Sequence, residues 1–318
     1  MCGPIVVARY KRCPSPKFTN FIFTGTFIML TEEQVQSFNT NGFLNGGKVL
    51  QDNETAELKT ELMKLIDHGP DGFAPDAQRP VLFRNFTGSD DAPVFQIVNI
   101  WEASKAFERL LYHPTIVSAI SQLTKMNDLQ IWHDQVQYKP SGKGGMTFWH
   151  QDSPLWPSIQ PLTPVSAWIP LEDADQDNGC MWMVPGSHKW GSCLPHFQKL
   201  GQKLGREFFD FAQDFEPPAD APLRDVKPVC WPVKKGEVSF HHSLTWHGSP
   251  NNKSERPRPA IAMHYMTSEA TFVKGAGHVM AQFVNLPDGA PMSQAGDHFP
   301  VVCRDGKPVP IPQSAMAD

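Results

Sequence analysis

The chain has 318 residues, longer than most single domains, although all-β barrels and sandwiches run to roughly 200–250 residues as one unit. Its 28 basic and 33 acidic residues are interleaved and leave a net charge of −5, which argues against a nucleic-acid-binding stripe and a polybasic membrane surface. With 23 glycines and 30 prolines the composition suits short strands joined by many turns.

Near the N-terminus an apolar run over residues 21–30 is too short to span a bilayer. Arg9, Lys11, Arg12 and Lys17 precede it as they would in a signal sequence, but no small-residue cleavage site follows. The run instead meets Thr31-Glu32-Glu33, an N-cap with acids in the first helical turn. Residues 1–28 are therefore expected to be an extension, and residues 29–318 a single domain. Six cysteines without a CxxC pair read as free thiols of a reducing compartment, the cytoplasm by default.

A helix is predicted over residues 31–39, ending near Gly42. A second covers 54–68, with Leu58, Leu62 and Leu65 on one face and Gly69-Pro70 as its stop. A third helical stretch, 103–125, should break at His113-Pro114. After Asn127 the texture changes to short β-branched and aromatic runs. Strands are predicted over 131–139, 146–150, 165–171, 180–184, 236–241, at His247 and over 259–266, with a helical insertion at 199–215. Asp177-Asn178-Gly179 is a hairpin signal. No repeat of solenoid or propeller length is present. Helices first and strands after predict a mainly β double-stranded β-helix, or cupin-like jelly roll. It would comprise a helical flank (31–127), a core (128–275) and a C-terminal tail (276–318) that wraps the barrel or stays mobile.

The chemistry begins at Phe148-Trp149-His150-Gln151-Asp152. His150 and Asp152, two residues apart in an extended segment, point to one face. A third ligand from a distant strand, His247 of His247-Gly248-Ser249, would complete two imidazoles and one carboxylate around a metal with open positions. That is the facial set of non-haem Fe(II) oxygenases. Zinc also accepts two histidines and a carboxylate, so the spacing alone leaves the metal undecided. His133, His188, His241, His242 and His264 are further histidines that could be offered as ligands.

The block that follows His247 narrows the choice. With His150-Gln151-Asp152, His247-Gly248-Ser249, Asn252, Ser254 and Arg258 at set spacing, the chain resembles the phytanoyl-CoA dioxygenase family of Fe(II)/2-oxoglutarate oxygenases. Ala167-Trp168, Asp177-Asn178-Gly179-Cys180 and Val184-Pro185-Gly186-Ser187-His188 extend the likeness, which covers residues 132–265. The resemblance implies that His150, Asp152 and His247 ligate iron. It implies that Arg258 and Ser249 hold the distal carboxylate of 2-oxoglutarate and that Trp168 lines that pocket. Arg256 rivals Arg258, because the two share a strand face and only the offset from His247 favours Arg258. His242 matches a family histidine near the site and is a candidate for orienting a ligand. The implied reaction uses O2 and 2-oxoglutarate and releases succinate and CO2. Retention of Asp152 favours hydroxylation or desaturation of the substrate over halogenation. The substrate is expected to be a small molecule or an acyl compound, and no charge cluster plainly demands a CoA phosphate. A jelly-roll metal enzyme without 2-oxoglutarate and a non-catalytic binding protein are the alternatives. Oligomeric state is not legible.

Overall fold

The computed structural model describes residues 30–74, 77–161, 164–203, 210–222 and 224–316. The segment expected to be an extension, 1–28, lies outside them. α1 (Glu32–Asn41) opens on a reciprocal box: the Thr31 hydroxyl accepts from the Gln34 amide N–H while the Gln34 side-chain oxygen accepts from Thr31 N–H. It ends on Gly42 at φ +85°, whose N–H donates to the Phe38 carbonyl. β1 (Phe43–Lys48), α2 (Asp52–His68), β2 (Leu82–Asn85) and β3 (Phe95–Val98) follow. α3 (Lys105–Leu111) and α4 (Pro114–Thr124) are two helices, divided at His113-Pro114 as expected.

The chain then builds β4 (Leu129–Lys139), β5 (Thr147–His150), β6 (Ile159–Gln160), β7 (Val165–Pro170) and β8 (Met181–Met183). After α5 (Leu194–Lys203) come β9 (Val229–Trp231), β10 (Glu237–His242), β11 (His247–Ser249), β12 (Arg258–Thr267) and β13 (Thr271–Phe272). β14 (Val301–Arg304), β15 (Lys307–Pro308) and α6 (Gln313–Met316) close the described chain.

The large sheet runs β1-β10-β7-β12-β4-β14-β15, with the β2–β3 hairpin joined to β4; a smaller sheet runs β5-β11-β8-β9. These are the two halves of the expected jelly roll. Of the two courses expected for segment 276–318, it takes the one along the barrel, where β14 pairs with β4. Two expectations need correction. The segment 31–127 is not helical alone, since β1 pairs with β10 and β3 with β4. The helical insertion begins earlier than expected, at Leu194, and Asp210–Phe215 is turn and irregular backbone instead of helix.

Strand alternation decides what faces the site. On β7, Val165, Ala167 and Ile169 join the core beneath α2, α3 and α4, and so do Ile261, Met263 and Tyr265 of β12 and Val238 and Phe240 of β10. The intervening residues, Ser166 and Trp168, Arg258 and His264, Ser239 and His241, are buried on the opposite face, toward the small sheet. A strand covered on both sides would ordinarily be apolar throughout. Buried polar residues among these inward positions, beside Trp168, Ala260 and Ala262, therefore mark the interior of the barrel as a working surface.

Candidate metal centre

β5 and β11 pair antiparallel with His150 opposite His247, and the two imidazole centroids are 4.1 Å apart. Asp152 is not in the extended strand. β5 ends at His150, and the N–H groups of Asp152 and Ser153 both donate to the Ser243 carbonyl (2.8 and 3.2 Å), turning the chain into a short 3-10 turn. The carboxylate still converges: Asp152 Oδ1 lies 3.7 Å from His150 Nε2 and 3.5 Å from His247 Nε2. The ligand atoms of His150, Asp152 and His247 all fall within 4.8 Å of one another.

Each imidazole is fixed by the backbone carbonyl two residues before it. His150 Nδ1 is 2.8 Å from the Phe148 carbonyl and His247 Nδ1 is 2.9 Å from the Thr245 carbonyl. Only an N–H satisfies a carbonyl, so both Nδ1 atoms carry a proton, which leaves Nε2 as the nitrogen each ring can offer to a metal. Burial, with His150 alongside, holds His247 well below the ordinary histidine range, so the ring is a neutral donor.

The carboxylate is divided in its duties. Oδ1 faces the imidazoles, while Oδ2 accepts from His241 Nε2 (3.0 Å) and Ser166 Oγ (3.2 Å). Ser166 Oγ in turn accepts from His264 Nδ1 at 2.7 Å. Burial pushes the Asp152 carboxyl up, but His247, His241 and His264 outweigh it and keep it well below the usual carboxylate range. Two imidazoles and one anchored carboxylate, open on one side, fit a divalent first-row metal. His242, the expected orienting residue, alternates out of the site: its Nδ1 accepts from Leu244 N–H and its ring packs against His188. Its neighbour His241 holds the ligand instead.

Beside the triad lies a cavity whose lining includes His247, Ser249, Trp168, Arg258, Thr147 and Gln135. Arg258 is 1 % exposed, its guanidinium stands 5.7 Å from the Trp168 ring, and its Nε and Nη1 have no hydrogen-bond partner. Ser249 Oγ and Thr147 Oγ1 are buried and unpartnered as well. Unsatisfied buried polar groups are rare in folded proteins, and a cation with two hydroxyls aimed at one space calls for an anion. The rival, Arg256, points outward to Asp175 and to the Asp173 carbonyl.

Other motif residues have structural work. Asn252 Nδ2 donates to the carbonyls of Pro140 and Arg256, and its Oδ1 accepts from Ser254, shaping the loop that carries the chain from His247 to Arg258. Lys139, fully buried, donates from Nζ to the Ser249 and Pro250 carbonyls at 3.1 and 2.6 Å. Gln151 ties the ligand segment to Gly191, Leu244 and Cys193. Thr147, Ser166 and the anchoring role of His241 were not signalled by any motif. The one available signal was their polar character at inward positions of otherwise apolar strands.

Two facing sheets around an open His–Asp–His face define a jelly-roll metal oxygenase. Residues 38–260 match the family described as phytanoyl-CoA dioxygenase (PhyH), and the chain belongs to that family; it is a dioxygenase. It is 26 % identical over 280 residues to the peroxisomal phytanoyl-CoA dioxygenase of Rattus norvegicus, covering 86 % of this chain and 78 % of the rat protein. It is likewise 26 % identical over 254 residues to the ectoine dioxygenase of Bordetella bronchiseptica, covering 76 % and 77 %. Among solved structures, the non-haem α-ketoglutarate-dependent carbocyclase SnoK superposes with a TM-score of 0.66 at 23 % identity, covering 86 % of this chain and 96 % of SnoK. That likeness bears on the fold.

Proposed function

We infer that the protein is an Fe(II)- and 2-oxoglutarate-dependent dioxygenase that hydroxylates a small organic or acyl substrate and releases succinate and CO2. The observation that carries the reading is Arg258, a buried guanidinium whose Nε and Nη1 have no partner, beside an open His–Asp–His face. A catalytic metal alone would give no reason to bury that charge.

His150, Asp152 and His247 would hold the iron through Nε2, Oδ1 and Nε2. When bound with 2-oxoglutarate and O2, iron supplies the power to oxidise a C–H bond. The chain's own work is binding, orientation and exclusion of water. Arg258 would pair with the far carboxylate of 2-oxoglutarate through its planar fork, with Ser249 Oγ and Thr147 Oγ1 as the neighbouring donors. Trp168 forms the wall behind the guanidinium. His241 and Ser166 keep Oδ2 of Asp152 occupied, so that Oδ1 alone serves the metal. The ligand count agrees with a mononuclear oxygenase that leaves room for a bidentate cosubstrate.

The substrate entrance is assigned to the segment after Asp152, where Leu155 is exposed while Trp156 packs inward against His133 and His264. The relatives' names extend from phytanoyl-CoA to ectoine, and no cluster of cations in this segment favours a CoA thioester. The cytoplasm is the compartment that best suits the free thiols Cys180, Cys193, Cys230 and Cys303. Among the described residues no helix is long and apolar enough to cross a membrane.

Anaerobic titration of the Fe(II)-loaded protein with 2-oxoglutarate tests the reading. A saturable metal-to-ligand charge-transfer band, lost in Arg258→Ala, is expected. Bound iron without a band would refute the use of 2-oxoglutarate.

A further inference from the structure

Behind the wall of the cosubstrate cavity two thiols meet. Cys180 Sγ and Cys230 Sγ are 3.3 Å apart, one at the turn leading into β8 and the other on β9. Cys180 is fully buried in the cluster that contains Trp168, Ala260 and Ala262, which belong to the strands forming the Arg258 pocket. Cys230 is partly exposed, and β9 is the edge of the small sheet. The pair therefore joins a partly exposed edge-strand residue to a buried one that shares its apolar cluster with Trp168.

We propose that Cys180 and Cys230 are a peroxide-oxidisable dithiol, and that their disulfide weakens 2-oxoglutarate binding. The second part rests on the function proposed above; the first does not. Hydrogen peroxide is the oxidant class named here. Attack by the Cys230 sulfur on a peroxide oxygen gives the Cys230 sulfenic acid, and the other oxygen leaves as water. The Cys180 sulfur then displaces the hydroxyl of that sulfenic acid, forming the S–S bond and a second water. Two thiols lose two hydrogens, and one peroxide is reduced to two waters. Cys230 suits the attacking role: it is the partly exposed residue of the two, and the hydrogen bond shared by the thiols lowers its pKa while raising that of Cys180.

The consequence for the site follows from packing. A disulfide holds its sulfurs at about 2.05 Å, so the sulfurs must close by more than 1 Å from contact distance. Cys230 sits on the partly exposed edge strand, and closing draws the Cys180 side chain toward it, which repacks the cluster that Cys180 shares with Trp168. That repacking shifts the ring beside which the Arg258 guanidinium stands.

The test treats the full-length protein with stoichiometric peroxide, quenches with an alkylating agent, and maps the peptides by mass spectrometry before and after thiol reduction. The expected result is one linked peptide pair joining Cys180 and Cys230, a mass loss of two hydrogens, and full reversal by dithiothreitol. The Cys230→Ser variant should form no such link. Peroxide treatment that leaves both thiols alkylable, or that carries Cys230 to the sulfinic acid without linkage, overturns the proposal. On linked protein, the anaerobic 2-oxoglutarate titration should shift several-fold to higher concentration and return after reduction. An unchanged titration overturns the coupling to the site. Failure of the charge-transfer band in both redox states would refute the 2-oxoglutarate reading instead, and leaves the peptide map to decide the dithiol.

Discussion

Replacing Arg258 with methionine should move two observables in opposite directions. The guanidinium is almost wholly buried with Nε and Nη1 unpartnered, and burial pushes its pKa from 12.5 down to about 10. It remains charged at neutral pH, and the displacement corresponds to about 3 kcal/mol of lost folding stability. The sign is that of a base with a depressed folded pKa: the penalty is fully present below pH 10 and fades only as pH rises from there toward 12.5. Methionine removes the charge and keeps an unbranched stem, but gives up the contact with Trp168, worth about 1 kcal/mol. A net gain of about 2 kcal/mol in the ligand-free protein is expected by urea denaturation. Affinity for 2-oxoglutarate should fall. Truncating one side of a buried, hydrogen-bonded charge pair costs about 3–4 kcal/mol, or roughly 100- to 1,000-fold. Arg258→Lys should fall between, since it restores the charge without the fork. A variant that loses stability while binding 2-oxoglutarate normally would show that the guanidinium has a structural partner, and the argument would fail.

Three further outcomes are expected. Ser166→Ala leaves Asp152 Oδ2 with His241 alone and strips His264 Nδ1 of its acceptor; Fe(II) affinity measured by chelator competition should drop about 10- to 100-fold, and an unchanged value would exclude an anchoring role. In Gly248→Ala the new Cβ would meet the Phe211 ring at 2.5 Å and the Thr147 carbonyl at 3.0 Å, between the two ligand strands. Thermal denaturation should report a loss of about 1–3 kcal/mol together with weakened metal binding, whereas a wild-type melting curve would contradict the packing. Burial holds His113 and His264 at about 4 against an ordinary 6.5. Their neutral forms favour the fold fully above pH 6.5, and that stability drains as pH falls from there toward 4. Each should contribute about 2 kcal/mol of loss by pH 5 in the metal-free protein. Urea midpoints that stay level from pH 7 to pH 5 would count against it.

Much of the site was legible because strand chemistry is local. A period of two led His150 and Asp152 to be read as a pair; they do converge, although Asp152 lies in the turn after β5 and reaches the site through its hydrogen bond to Ser243. Local signals also served the helices: the Thr31–Gln34 box, Gly42 and the His113-Pro114 break all act within a few residues. The misplaced elements were those whose stability is not local. β1 reads Phe-Leu-Asn-Gly-Gly-Lys, with two glycines that disfavour a strand, and it exists because β10 supplies its hydrogen bonds. β2, β3 and β14 are four residues each, too short for a periodic signal, and are fixed by pairing with one another or with β4.

The sequence by itself determined the family and the ligand types, since these depend on residue identity and spacing along the chain. Tertiary structure decided what stands opposite. It enclosed the Arg258 guanidinium in the barrel and turned that of Arg256 outward to Asp175. It made His241 and not His242 the residue that holds Asp152 Oδ2, and it brought Cys180 to Cys230 across fifty residues of chain. Periodicity gives a side chain its direction; only the pairing of distant strands gives it a partner.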